Sequence, residues 1–163
     1  LNFYIMNSHY TVAIGTWEGD KQQSIEYNSS IAVGIDCPRA KLRVSILLDT
    51  IQEYQVRYIF SDEEISEAVN EAGLIIGARG IAYEGVLQRK PVIVVGEYGF
   101  GGLVTPDTLH EQYNNYFRGK INGIKAEYFS LERLEEEIRR GFALTFQELQ
   151  MMSNQTIRFL HNI

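Results

Sequence analysis

Short apolar runs of strand character alternate along this chain with segments of helical period, and that alternation predicts an α/β fold. Two further observations carry the prediction. Pro91–Val95 is a continuous β-branched run, the mark of a strand covered on both faces, and helix start signals stand between the runs. Strands and helices alternating at this spacing build βαβ units with right-handed crossovers. The expected architecture is a single domain with a doubly wound, mostly parallel, Rossmann-like sheet.

Taken in order, Phe3–Met6 and Tyr10–Ile14 read as strands. Residues 15–30 are polar and read as a loop. Ile31–Ile35 is a further apolar run, ended by Asp36-Cys37-Pro38. From Arg39 to Tyr54 the apolar set Leu42, Ile46, Leu47, Ile51 and Tyr54 recurs in steps of three and four, which predicts an amphipathic helix. Val56–Phe60 reads as a strand. Ser61-Asp62-Glu63-Glu64 is a capping box, opening a helix with Ile65, Ala68, Val69 and Ala72 on one face, and Gly73 ends it.

Leu74–Ile76 then reads as a strand, Gly77-Ala78-Arg79-Gly80 as a tight turn and Ile81–Arg89 as a helix. After the strand Pro91–Val95 comes a glycine-rich loop, Gly96 to Gly102. Thr105-Pro106-Asp107 is expected to start the next helix, with threonine at the cap and proline at the first position. Ser130 caps another helix, whose apolar face runs Leu131, Leu134, Ile138, Phe142, Phe146 and Leu149, and the remainder to Ile163 reads as helical.

Composition narrows the function classes. The 163 residues are 45% hydrophobic and 22% charged, enough to bury a core. The net charge of −6 argues against a nucleic-acid binder that works by blanketing phosphates. Residues 61–112 carry nine acids and three bases, and so hold the whole imbalance. An anionic ligand there must be held by backbone amides and one or two cations, against the overall field. Cys37 is the single cysteine, so no disulfide framework or Cys/His metal site is expected. Val92–Val95 is far shorter than the ~20 residues of a membrane span. The opening segment lacks the basic and apolar regions of a secretory signal. A cytoplasmic setting is expected.

In open parallel sheets ligands bind beyond the carboxyl ends of strands. The turn after Leu74–Ile76 is the sharper candidate. Gly77, Arg79, Gly80 and Ile81 would form an anion cradle, with free amides of the first helical turn, glycines permitting close approach and an arginine fork for phosphate oxygens. Glu84, one turn further on, is placed to accept paired hydrogen bonds from a sugar diol. Read singly, each has an ordinary explanation as turn glycine, surface arginine or helix-start carboxylate; their convergence on one strand–turn–helix unit makes the case. In the second loop, Gly99, Gly101 and Gly102 permit unusual backbone shapes, and Tyr98 and Phe100 supply rings able to cover a base. His9 reads as a turn residue, His110 as solvated, Cys37 as structural, Tyr113 to Phe117 as a helix end packing two aromatics, and Glu135-Glu136-Glu137 as the wet face of a helix.

The run from Ala72 to Gly85, continuing through Gln88-Arg89-Lys90-Pro91-Val92-Ile93-Val94-Val95, resembles the C-terminal, donor-binding domain of two-domain GT-B glycosyltransferases. That domain shows a strand, a small-residue turn, a helix bearing a glutamate followed by a small residue, and a Lys/Arg-Pro-Val strand. The resemblance covers a quarter to a third of the chain. It implies a nucleotide-sugar donor, of the UDP-sugar type, with its diphosphate on the helix start behind Gly80, ribose hydroxyls on Glu84 and the base near the preceding turns. The nucleotide sugar is substrate, and no cofactor is implied. Many retaining members carry a second glutamate eight positions earlier, where this chain has Ile76, so that subgroup is disfavoured. Inverting members draw their base from the N-terminal domain, and no catalytic residue is assigned here.

A complete GT-B enzyme needs two such domains, so a chain of this length beginning at Leu1 is expected to be one half. Its partner would be an acceptor-binding domain, in the same chain or as a subunit. UDP-N-acetylglucosamine 2-epimerases share nearly the same helix and Lys-Pro-Val strand, which keeps half of such an epimerase as an alternative. A non-catalytic nucleotide-binding module is the other.

Overall fold

The computed structural model describes residues 3–6, 9–15, 22–120 and 123–162, with side chains from residue 28 onward. The chain opens with β1 (Phe3–Met6), β2 (His9–Gly15) and β3 (Gln22–Asn28), an antiparallel sheet in that order. Phe3 pairs with Val12, and Val12 with Ile25. β3 falls where the sequence reads as a loop. Its polar start, Gln22-Gln23-Ser24, hides the alternation, and pairing along the whole of β2 makes it a strand. Residues 16–21 of that expected loop lie outside the described residues.

The second sheet contains β4 (Ser30–Gly34), β5 (Gln55–Tyr58), β6 (Leu74–Gly77), β7 (Val92–Gly96) and β8 (Gly99–Leu103), side by side in the order β5-β4-β6-β7-β8. The first four run parallel, with Ile31 opposite both Val56 and Leu74. β8 returns antiparallel to β7. The glycine-rich segment after Gly96 is therefore a tight hairpin and an edge strand rather than a loop.

Among the described residues six α-helices accompany this sheet: α1 (Pro38–Ile51), α2 (Ile65–Glu71), α3 (Gly80–Leu87), α4 (Leu109–Asn114), α5 (Leu131–Phe142) and α6 (Phe146–His161). Strand periodicity sorts them into two layers. Ile31, Val33, Leu74, Ile76, Ile93 and Val95 pack with α1 and α5. Ala32, Ile75, Val92 and Val94 pack with α2, α3, Leu109 of α4 and Met152 of α6. The result is a three-layer α/β arrangement compatible with a doubly wound, Rossmann-like fold. Among the described residues no helix is long and apolar enough to cross a membrane.

Several boundaries differ from the sequence reading, each for a local reason. α1 stops at Ile51 because Gln52 turns left-handed (φ 57°), its amide donating to Leu48 O at 3.1 Å. Before α2, Asp62–Glu64 forms a single 3-10 turn. Glu64 Oε2 there accepts from the amides of Phe60 (3.1 Å) and Ser61 (3.2 Å), and the Phe60 bond leads in holding this carboxyl below the usual carboxylate range. Thr105-Pro106-Asp107 forms a turn, not a helix start. Thr105 and Thr108 satisfy each other through side chains, the Thr105 amide donating to Thr108 Oγ1 at 2.8 Å, and α4 begins only at Leu109.

Ser130 caps α5 as its sequence indicates, with Arg133 N donating to Ser130 Oγ at 3.1 Å. The expected continuous helix breaks at residues 143–145, where Thr145 and Glu148 form a second capping box. The break moves the chain across the sheet: Leu134 and Ile138 pack on one face, while Leu149 and Met152 pack on the other. Unbroken periodicity conceals that crossing.

Glu137 is a clearer departure. The sequence places it on a wet face, yet its side chain is 1% exposed. Oε2 accepts from Leu103 N at 3.0 Å, and Arg133 and Arg140 pair with the carboxylate at 3.0 and 3.2 Å. The pairing of β7 with β8 shifts register between Val94 and Val95, and Glu137 serves as acceptor for the amide at the end of the edge strand. Glu137→Ala leaves that buried amide unsatisfied and should lower stability by about 2 kcal/mol, measured as the midpoint of denaturant unfolding. A change below ~0.5 kcal/mol, the range of ordinary surface substitutions, would remove this role.

Candidate functional site

The chain leaves β4 for β5 on one side, while β6 lies on the other. The loops after β4 and β6 therefore part at the strands' carboxyl ends, the switch point at which open α/β sheets leave room for ligands. A crevice of about 530 Å³ opens there. Gly34, Asp36 and Ala78 line its base, Ile59 to Asp62 with Ile65 and Ser66 form one wall, and Arg79 to Ile81 with Glu84 form the other.

The second wall is set by a close contact. A Cβ on Gly77 would stand 2.4 Å from Gly34 O and 2.6 Å from Ile81 Cγ2, and one on Gly34 would stand 2.7 Å from Ile81 Cδ1. Ile81 thus fills the volume of two absent side chains and seats the first turn of α3 on the sheet end. Gly77 and the Ile81 side chain are buried. The glycine expected to admit a ligand admits Ile81 instead. The amides of Gly80, Ile81 and Ala82 meet no acceptor among the described residues, as the first turn of a helix requires. Beside Gly80 there is space, since a Cβ would meet only Ile65 Cδ1, at 3.7 Å.

Arg79 precedes this turn with φ 56° and ψ −124°, a backbone conformation that costs a non-glycine residue about 1–3 kcal/mol. Its amide donates to Phe117 O at 3.0 Å. Phe117 is fully buried, edge-on to Tyr83 with ring centroids 4.8 Å apart. Tyr116 and Phe117 are themselves left-handed, at φ 62° and 52°, so the chain folds back sharply to deliver that carbonyl. The Arg79 side chain does not stand free as the sequence reading expects. Nη2 pairs with Glu97 Oε1 at 2.5 Å, and Arg118 Nε reaches the same oxygen at 3.1 Å. The hydrogen bond from Arg79 holds the Glu97 carboxyl below its usual range. A second cavity, of about 260 Å³, lies between Asp36-Cys37, Ala78-Arg79 and Gly96-Glu97.

Glu84 lines the crevice, with Oε1 accepting from Gln88 Nε2 at 2.6 Å. Oε2 has no partner among the described residues. Gln88 Nε2 also donates to Ser66 O at 3.2 Å, which ties the end of α3 to α2.

The structure gathers Gly80, Ile81, Arg79 and Glu84 at one crevice and places Gly99, Gly101 and Gly102 elsewhere. The last three sit in β8 against their own chain. A Cβ on Gly99 would lie 2.6 Å from Ile124 O, one on Gly101 2.9 Å from Gln112 Oε1, and Gly102 (φ 78°) faces the Glu137 carboxylate. Phe100 is stacked on Phe129 with centroids 4.6 Å apart, and Tyr98 lies under Arg118; neither ring lines the crevice. His110 is exposed, its ring edge-on to Phe159 at 5.6 Å. His9 falls at the start of β2, its side chain outside the described residues.

Sequence reasoning passed over Asp36, Ser61, Asp62, Glu97 and Arg118. Asp36 and Glu97 carried a signal, since each directly follows an apolar strand. The charged groups lining the two cavities are Asp36, Asp62, Glu84 and Glu97 against Arg79 alone. An anion bound there gains from amide dipoles and one guanidinium, not from bulk charge. Among the described residues no group of three His, Cys, Asp or Glu side chains could hold a metal ion. No family model, curated protein or solved structure matches this chain.

The glycine contact predicts a contrast within one turn. Gly77→Ala must displace backbone or Ile81 and should cost about 1–3 kcal/mol. Gly80→Ala fits and should lie within about 0.5 kcal/mol of the parent. Equal denaturation midpoints for the two variants would contradict the contact.

Proposed function

We propose that the crevice binds the diphosphate of a nucleotide sugar, and that the chain is the donor-binding half of a GT-B-type glycosyltransferase. One observation carries the reading: the three unpaired amides of residues 80–82 start a helix at an open crevice on the switch point of the sheet. Such amides, with the positive end of the helix dipole, suit an oxyanion that side-chain charge alone would repel here. The resemblance of residues 72–95 supports the finer assignment. In it, the diphosphate rests on those amides, the unpartnered oxygen of Glu84 accepts from ribose hydroxyls, and the nucleoside packs along the wall at Ile59 to Ser61.

The part this chain plays in transfer is to hold and orient the donor. The acceptor and the base that takes its proton belong to a partner domain in this reading. Closure of that domain would expel water and favour transfer over hydrolysis.

Calorimetric titration with uridine, UDP and UDP-sugars tests the proposal. UDP and UDP-sugars should bind in the micromolar range and uridine more weakly. Glu84→Ala, removing two acceptor bonds, should cost roughly 2–5 kcal/mol of affinity; a loss under about threefold would take Glu84 out of the ribose site. Gly80→Asp should keep the fold, since a carboxylate suits a helix start, while weakening UDP about tenfold or more and uridine little. Absence of binding to any nucleotide would instead favour a scaffold.

A further inference from the structure

Glu97 shares one carboxylate oxygen between two arginines that are held unequally. Arg118, at 3.1 Å, is fixed by other means as well: Nη1 donates to Tyr98 Oη at 2.9 Å, and its guanidinium lies over the rings of Tyr98 and Tyr116, 5.6 and 5.4 Å from their centroids. The side chain of Arg79, at 2.5 Å, makes no other hydrogen bond or ion pair among the described residues and is half exposed. Its backbone is anchored through Phe117 O next to the free amides of α3, and the residue lines both cavities. If Arg79 swings away, Glu97 keeps Arg118 as counter-ion and no carboxylate is stranded. One cation is a fixture, and the other is transferable.

We propose that Glu97 is a parking site for Arg79, and that competition between Glu97 and a bound phosphate for this guanidinium sets how strongly the crevice prefers a nucleotide over its nucleoside. The inference rests on the reading of the crevice as a phosphate site. In the free protein the arginine fork is occupied by the carboxylate. A phosphate on the amides of residues 80–82 must draw the fork from Glu97, which lowers its affinity by the share of molecules in which Arg79 is parked. A nucleoside, which makes no demand on Arg79, is unaffected. Glu97 and Arg118 touch no ligand in this scheme, and they act through Arg79 with opposite signs. Removing the Glu97 charge frees Arg79. Removing Arg118 leaves Glu97 with Arg79 alone and parks it more firmly.

The test compares UDP and uridine affinities by calorimetry for the parent chain, Glu97→Gln, Arg118→Gln, Arg79→Ala and the Arg79→Ala/Glu97→Gln pair, with melting temperatures as a check on folding. Glu97→Gln should tighten UDP about threefold, the scale of one exposed ion pair, and leave uridine unchanged. Arg118→Gln should weaken UDP by a similar factor. The Glu97→Gln effect should shrink to near unity in the Arg79→Ala background. A general structural role would weaken both ligands in both single variants. If the parent binds UDP no better than uridine, the phosphate reading falls and the parking site falls with it. If the parent prefers UDP, the parking site alone is overturned by any of three results: Glu97→Gln fails to tighten UDP, it tightens UDP equally without Arg79, or Arg118→Gln leaves UDP unchanged.

Discussion

The packing of Ile81 into the space left by Gly34 and Gly77 is the constraint on which the rest of the site depends. The two glycines end adjacent parallel strands in register, and their missing side chains form one depression across the sheet edge. Ile81, 3% exposed, occupies it. A helix approaching a sheet end is usually held off by the side chains of the last strand residues. Here neither strand end carries one, and Ile81 in the first turn of α3 packs against both. That packing places the start of α3 at the crevice, and Arg79, one residue before the helix, lines both cavities.

Such an approach requires a distorted connection, and the structure supports it from behind. Arg79 adopts a conformation few side chains tolerate, and its amide is met by a carbonyl from a segment that is itself left-handed at two consecutive residues. Gly119 (φ 102°) continues that segment, with no room for a Cβ because Gly99 O would lie 2.1 Å away. The same short segment thus braces the turn after β6 and the hairpin after β7. Strain in such a turn persists only when its surroundings over-determine it, and the buried ring of Phe117 anchors the segment that does so. The acidic surroundings add a second condition. With carboxylates outnumbering cations in the lining of the two cavities, amide dipoles and the Arg79 guanidinium are the groups there that would favour an anion.

Glycine and glutamate play roles here that their usual readings obscure. The cluster from Gly96 to Gly102 has the look of a mobile ligand loop, and it forms a hairpin and an edge strand in which Ile124 O leaves no room for a Cβ at Gly99, Gln112 leaves little at Gly101, and Gly102 takes a left-handed backbone (φ 78°). Glu137 sits within a run of three glutamates on an amphipathic helix, and it alone turns inward to satisfy the end of that strand. A buried charge with paired arginines and an amide donor is tolerable; the same charge without them would not be.

The sequence by itself determined the layer architecture, because continuous apolar strands and three-to-four-residue periodicity each have one economical arrangement. It also located the strand–turn–helix unit at residues 74–84, because glycine spacing and helix-start chemistry are local. Tertiary structure decided what those local signals cannot carry. Whether Gly77 faces a ligand or Ile81 depends on a glycine more than forty residues earlier in β4. Whether Arg79 is free depends on Glu97 and on the fold-back that brings Arg118 beside it. Whether α5 and α6 are one helix depends on which sheet face each must cover, and whether residues 22–28 form a strand depends on β2 offering a partner. Periodicity records which side of an element is apolar, while contacts between distant segments decide what that side meets.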